Sequence, residues 1–209
     1  MIPTLEEICK VAKKHPLRVH GCYIFGSRVY GTSNYNSDWD IILICNSSSP
    51  EVEINQTSTL SSKFKGKELN IHLIVPDKFK QWSKVNHIKA IECLFAPDWA
   101  IIKKFDCDFK LSEKSLIHNI SHSVSNSWVK SKKKLEQGDY YIGIKSIFHS
   151  LRIAQFGIEF VKYGKINFDV SNQIWSELNS KKWNWGELQE KYQPTRNKLM
   201  TEFRTLVRK

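Results

Sequence analysis

The chain has no apolar run near the ~20 residues that a bilayer-spanning helix needs; its longest, Cys22 to Phe25 and Ile41 to Cys45, are a fraction of that. The stretch Met1 to Glu7 has no basic segment followed by an apolar core, so no secretory signal is expected. No C-x-x-C pair occurs among the five cysteines, Cys9, Cys22, Cys45, Cys93 and Cys107. Their odd number, in a chain large enough to fold without staples, is read as reduced, mostly buried thiols. With 9 glycines and 6 prolines the chain is not collagen-like, and it has no internal repeat or low-complexity tract. It also lacks a P-loop, a dinucleotide-binding fingerprint and any hydrolase signature readable from spacing. These absences leave a soluble, cytoplasmic protein as the expectation, with no membrane partner.

What is present is an ordinary globular composition with a basic surplus. Of 209 residues, 41% are apolar and 25% charged, enough to bury a core and to argue against disorder. Lys and Arg total 32 against 21 Asp and Glu, a formal charge of +11. The length suits one large domain or two of ~100 residues each.

Residues 5–14 have helical spacing, ended by Pro16. Val19 to Phe25 and Trp39 to Cys45 are β-rich runs that read as buried strands, and Glu68 to Leu73 alternates as a third strand ending near Pro76. From Asp77 to Phe95 the pattern turns helical, and beyond Ser112 it stays so. Leu116, Ile120, Val124 and Trp128 recur every fourth residue, and a second long helix is expected from Tyr140 to Tyr163 with Gly164 as its cap. Shorter helices follow, interrupted at Trp183 to Gly186 and at Pro194. The fold class is therefore α+β: a small mixed sheet with flanking helices over residues 1–108, then an all-helical part over 109–209. The second part is the more basic, +7 from residue 106 onward against +4 before it.

The informative stretch runs from Phe25 to Ile44. A strand enters Gly26-Ser27, a turn follows, and a second strand opens with Asp38-x-Asp40. Side chains alternate along a strand, so the two acids point the same way with Cα atoms roughly 6.5–7 Å apart, a pitch at which they can share hard cations. Gly26 lets the backbone approach a phosphate, and Ser27 offers a hydroxyl and an N–H at an expected helix start. The alternative is plain turn chemistry ahead of a buried strand.

Gly-Ser, ten residues (28 to 37), then Asp-x-Asp in an apolar strand resembles the DNA polymerase beta-like nucleotidyltransferase superfamily, which includes the kanamycin and minimal nucleotidyltransferases. The resemblance implies Asp38 and Asp40 as ligands of Mg²⁺ or Mn²⁺, Gly26 and Ser27 as the triphosphate cradle, and transfer of NMP from an NTP to an acceptor hydroxyl with release of pyrophosphate. Arg28, directly after Ser27, is a further candidate for phosphate contact. The superfamily adds a third carboxylate from a later strand. Here the matching strand offers Glu68, Asn70 and His72, and the alignment puts His72 in that position. Imidazole is a poor Mg²⁺ ligand but a competent base, so three readings stay open: His72 is the base, Glu68 reaches the site, or the third acid is missing and activity is weak or lost.

Lys145, His149, Arg152 and Glu159 share one face of the Tyr140–Tyr163 helix. In related enzymes a helix packed on the catalytic sheet supplies cations to the triphosphate, which makes Lys145 and Arg152 candidates for the β- and γ-phosphates; a solvated face with a local ion pair is the equal alternative. The basic run Lys130, Lys132, Lys133 and Lys134, with Trp128, Trp175, Trp183 and Trp185, suits an RNA surface or merely a helix C-terminus. His118 and His122 have zinc spacing but no further ligand nearby in sequence. Among acceptors, RNA, such as a tRNA end, ranks first on charge. A protein acceptor, as in AMPylating enzymes of toxin-antitoxin pairs, ranks second and a cationic drug third, with a non-catalytic nucleotide- or RNA-binding module as the reading from another class.

Overall fold

Alternating apolar residues and glycine-marked turns build a sheet first and helices afterwards. The computed structural model describes residues 2–12, 18–46, 57–169 and 172–208. Two units follow one another, Met1–Leu111 and Ser112–Lys209.

The first unit contains α1 (Leu5–Ala12), β1 (Arg18–Phe25), β2 (Trp39–Asn46), β3 (Thr57–Phe64), β4 (Lys67–Ile74), α2 (Pro76–Lys84), α3 (Ile88–Leu94) and the short β5 (Ile101–Lys103). The sheet order is β3-β4-β2-β1-β5. β2 and β4 pair in parallel and every other pair is antiparallel, which makes the sheet mixed. Ile41 to Cys45 of β2 are fully buried, as a central strand covered on both faces requires. On one face Tyr23, Ile42, Ile44 and Ile74 pack with Phe79 of α2, Ala90 and Cys93 of α3, and Phe105. At about 1.5–3 kcal/mol per buried large side chain, this cluster holds α2 and α3 against the sheet.

Two differences from the sequence pattern have physical reasons. β3 is not predicted by hydrophobic periodicity, because Thr57 to Lys63 is dominated by hydroxyl residues on a half-open edge; its pairing with β4 through Lys65 and Gly66 makes it a strand. The single helical stretch expected from Asp77 to Phe95 is two helices, broken at Asn86, whose φ is +50°, and restarted by His87, whose Nδ1 accepts the Lys89 N–H at 3.3 Å. The expected helix stop at Pro16 lies outside the described residues.

The second unit is helical: α4 (Glu113–Glu136), α5 (Tyr140–Tyr163), α6 (Asn172–Leu178) and α7 (Trp185–Val207). Ser112, Asp139 and Asn184 cap α4, α5 and α7, the last in a reciprocal capping box with Glu187, and Gly164 closes α5 in the left-handed conformation. α4 and α5 are tied by Ser131 to the Gly143 carbonyl and Ser150 to the Val124 carbonyl, each at 2.8 Å. Pro194 does not interrupt the last helix. Leu188, Tyr192, Met200, Phe203 and Val207 are buried on both sides of it, and that packing outweighs the ~3 kcal/mol cost of an interior proline. No helix among the described residues is long and apolar enough to cross a membrane.

Candidate active site

β1 ends at Phe25, which pairs with Asp40 across the sheet. The chain then turns through one 3-10 turn, Gly26 to Arg28, in place of the longer helix start expected there. Gly26 has φ +80°, and a Cβ at this position would lie 2.4 Å from Asp40 Oδ2, so only glycine lets the turn close against that carboxylate. The Gly26 carbonyl accepts from the N–H groups of Val29 and Tyr30, and the Ser27 carbonyl from Thr32 N–H, at 3.0–3.1 Å. Ser27 is buried at 4% exposure. Tyr30 fixes the turn to α3, its hydroxyl donating to Glu92 at 2.9 Å.

Arg28 does not reach outward as a phosphate contact would. Its Nε donates to the Asp38 carbonyl at 2.8 Å, its Nη2 donates to the Ser37 carbonyl, and its guanidinium lies 4.0 Å over the Trp39 ring. It therefore clamps the segment that carries the first acid. Burial lowers its pKa, against the opposing effect of Asp38 and Asp40 nearby.

The parallel pairing of β2 with β4 sets Asp40 beside Asn70 and Ile42 beside His72, so these side chains stand on one sheet face. Asn70 Nδ2 donates to Asp38 Oδ2 at 2.9 Å, and Ser61 Oγ on β3 donates to Asn70 Oδ1 at 2.8 Å. The group nearest the acid pair on β4 is thus a carboxamide. His72 lies one pair deeper, its Nδ1 3.1 Å from Thr59 Oγ1 and its ring edge-on to Phe25 at 5.2 Å. Burial, then the Lys89 charge, lowers its pKa, which favours neutral imidazole. Glu68 pairs across the sheet with Lys63, two residues short of Asn70 along β4. Among the described residues no three His, Cys, Asp or Glu gather closely enough to hold a metal.

Lys145 and Arg152 lie on α5, in the second unit. Arg152 is buried, at 4% exposure, whereas Lys145, His149 and Glu159 of the same stripe are partly exposed. Burial, followed by the charges of Arg152, Lys145 and Lys130, holds His149 well below the ordinary imidazole value. The place of Asn70 beside Asp38 and the Arg28 clamp were not legible in the sequence; the signal for the first would have been the register of a parallel pair, which local pattern does not carry. Of the cysteines, Cys22, Cys45 and Cys93 are buried, Cys9 and Cys107 partly so, and all five are free thiols.

Residues 6–98 match the family model described as polymerase beta, nucleotidyltransferase. No curated protein matches the chain in sequence. A solved structure similar to it is a nucleotidyltransferase-like protein from Exiguobacterium sibiricum 255-15, at 13% identity and a TM-score of 0.33, with 96% of this chain and 71% of that one covered.

Proposed function

Residues 6–98 belong to the polymerase beta-like nucleotidyltransferase superfamily, and on that premise we propose that the protein transfers NMP from an NTP to an acceptor hydroxyl at the start of β2. The observation that carries the reading is the pair Asp38 and Asp40, two residues apart at the opening of one strand, with Gly26 packed against Asp40 so closely that a Cβ would collide with it. Two carboxylates offer the oxygen donors that suit Mg²⁺ or Mn²⁺, and Asp38 and Asp40 would hold the ion. When bound, such an ion offsets the charge that develops on the α-phosphate and the leaving oxygen.

The chain's own residues have the following roles. Gly26 and Ser27 receive the phosphate chain on a turn whose backbone approaches without a side chain in the way. Arg28 fixes the Ser37–Asp38 carbonyls and so aims the first acid. Neutral His72 takes the proton of the attacking hydroxyl. Lys145 and Arg152 are the candidates for the β- and γ-phosphates that the resemblance implies. The +11 charge favours RNA as acceptor over a cationic small molecule, with a protein acceptor second.

One observation favours a second reading, a nucleotide- or RNA-binding module without turnover: Asn70, not an acid, stands beside Asp38. The test is incubation with each α-labelled NTP, Mg²⁺ or Mn²⁺ and total RNA, beside the Asp38→Ala, Asp40→Ala double variant. Label transfer that the variant loses supports the enzyme. RNA retention without label transfer, equal in both proteins, supports the module.

A further inference from the structure

The second unit contains two arginines on one helix that reach toward a neighbouring helix, with no acid paired to either among the described residues. On α7, Arg196 and Arg204 are eight residues apart, hence on one helix face, and Ser121 and Ser125 are four apart on α4. Arg196 Nη2 donates to Ser125 Oγ at 3.3 Å and Arg204 Nη2 to Ser121 Oγ at 3.4 Å. Between the helices lies a hollow of about 200 Å³ with Val124 and Met200 as apolar lining and Ser125, Thr201, Arg196 and Arg204 as polar lining. The Arg196 guanidinium is braced 5.2 Å over the Trp128 ring, and its Nε–H is buried with no hydrogen-bond partner among the described residues.

This arrangement is costly as it stands. Burial and then the neighbouring Arg204 lower the Arg196 pKa, and no carboxylate among the described residues opposes them. A buried donor without a partner carries an uncompensated desolvation cost. Two guanidinium forks with adjacent hydroxyls match the several acceptor oxygens of a tetrahedral oxyanion, to which arginine binds through paired N–H donors.

We propose that the hollow between α4 and α7 is a phosphate-binding site, formed by Arg196, Arg204, Ser121, Ser125 and Thr201. Its chemistry is independent of the transfer reaction, because none of these residues takes part in the nucleotide site. The phosphate has two possible sources, a free phosphate or the backbone of a single-stranded nucleic acid, and the site chemistry is the same for both.

The test titrates two probes into the full chain. Inorganic phosphate is followed through the arginine Nε–H resonances of ¹⁵N-labelled protein, and a fluorescein-labelled single-stranded oligoribonucleotide through anisotropy over a salt series. Arg204 is exposed, so Arg204→Gln leaves the fold in place. The expected result is that this change weakens one or both probes by about tenfold or more, whereas Lys198→Gln, on the same helix but outside the hollow, changes them less than about twofold. If the oligoribonucleotide is the ligand, its log K against log[salt] slope falls by about 0.7, one single-strand phosphate contact; if only inorganic phosphate responds, the source is a free phosphate. Failure of both probes to bind the native chain, or equal binding to the native, Arg204→Gln and Arg196→Gln proteins, overturns the proposal.

Discussion

Asn70 donates a carboxamide N–H to Asp38 at 2.9 Å, and Ser61 donates in turn to Asn70 at 2.8 Å. The first acid of the pair is thus held by a neutral hydrogen-bond relay from two neighbouring strands.

Asn70→Asp should set a second carboxylate at hydrogen-bond distance from Asp38. Like charges so close raise one pKa and destabilise the metal-free protein, by on the order of 1 kcal/mol. Divalent affinity should rise about tenfold. Thermal unfolding with and without Mg²⁺ reads both: a lower Tm without the ion, recovered with it. The same change at His72, one pair deeper, should give no such recovery, and a Tm that ignores Mg²⁺ in both variants would remove Asn70 from the site.

Gly26→Ala combines a Cβ 2.4 Å from Asp40 with a φ of +80°. The left-handed backbone alone costs about 1–2 kcal/mol. Displacement of the carboxylate should lower transfer by about a hundredfold or more. Native activity in this variant would mean that the turn and Asp40 do not act together.

Arg28→Lys keeps the charge but loses the fork that spans two carbonyls and the stack on Trp39. As Arg28 works by positioning Asp38, kcat should fall about tenfold while KM for the NTP changes little. A rise in KM with kcat intact would instead return Arg28 to direct phosphate contact.

His87 has its pKa pushed down to about 4, by burial first and then by Lys89 and Lys78. The folded state prefers the neutral ring, whose Nδ1 accepts the Lys89 N–H. Its contribution is complete above the unfolded value of about 6.5 and is lost as pH falls from there towards 4, on the order of 1–3 kcal/mol. His87→Asn retains an acceptor at the cap and removes the titration, so its urea midpoint should fall less between pH 7 and pH 4.5 than that of the native protein. Parallel losses in the two would assign the acid sensitivity elsewhere.

The sequence revealed those parts of the site that are local. Gly26-Ser27 and Asp38-x-Asp40 could be read because a strand's two-residue period fixes which side chains share a face, and the long helices because their caps and periods are internal to them. The edge strand Thr57–Phe64 was hidden by its hydroxyl residues, and Ile101–Lys103 by its length. Pro194 misled, since the cost of an interior proline is local whereas the packing that outweighs it is not. The choice between Asn70 and His72 depends on the register between β2 and β4, a non-local fact. The Arg28 clamp depends likewise on the path of residues 29 to 37.

The most direct measurement compares α-labelled with γ-labelled NTP in the same reaction with acceptor. Nucleotidyl transfer predicts that the α-label enters the acceptor, that the γ-label leaves in pyrophosphate, and that Asp40→Ala abolishes both. Label entering the acceptor from the γ-position, or α-label transfer undiminished by Asp40→Ala, would contradict it.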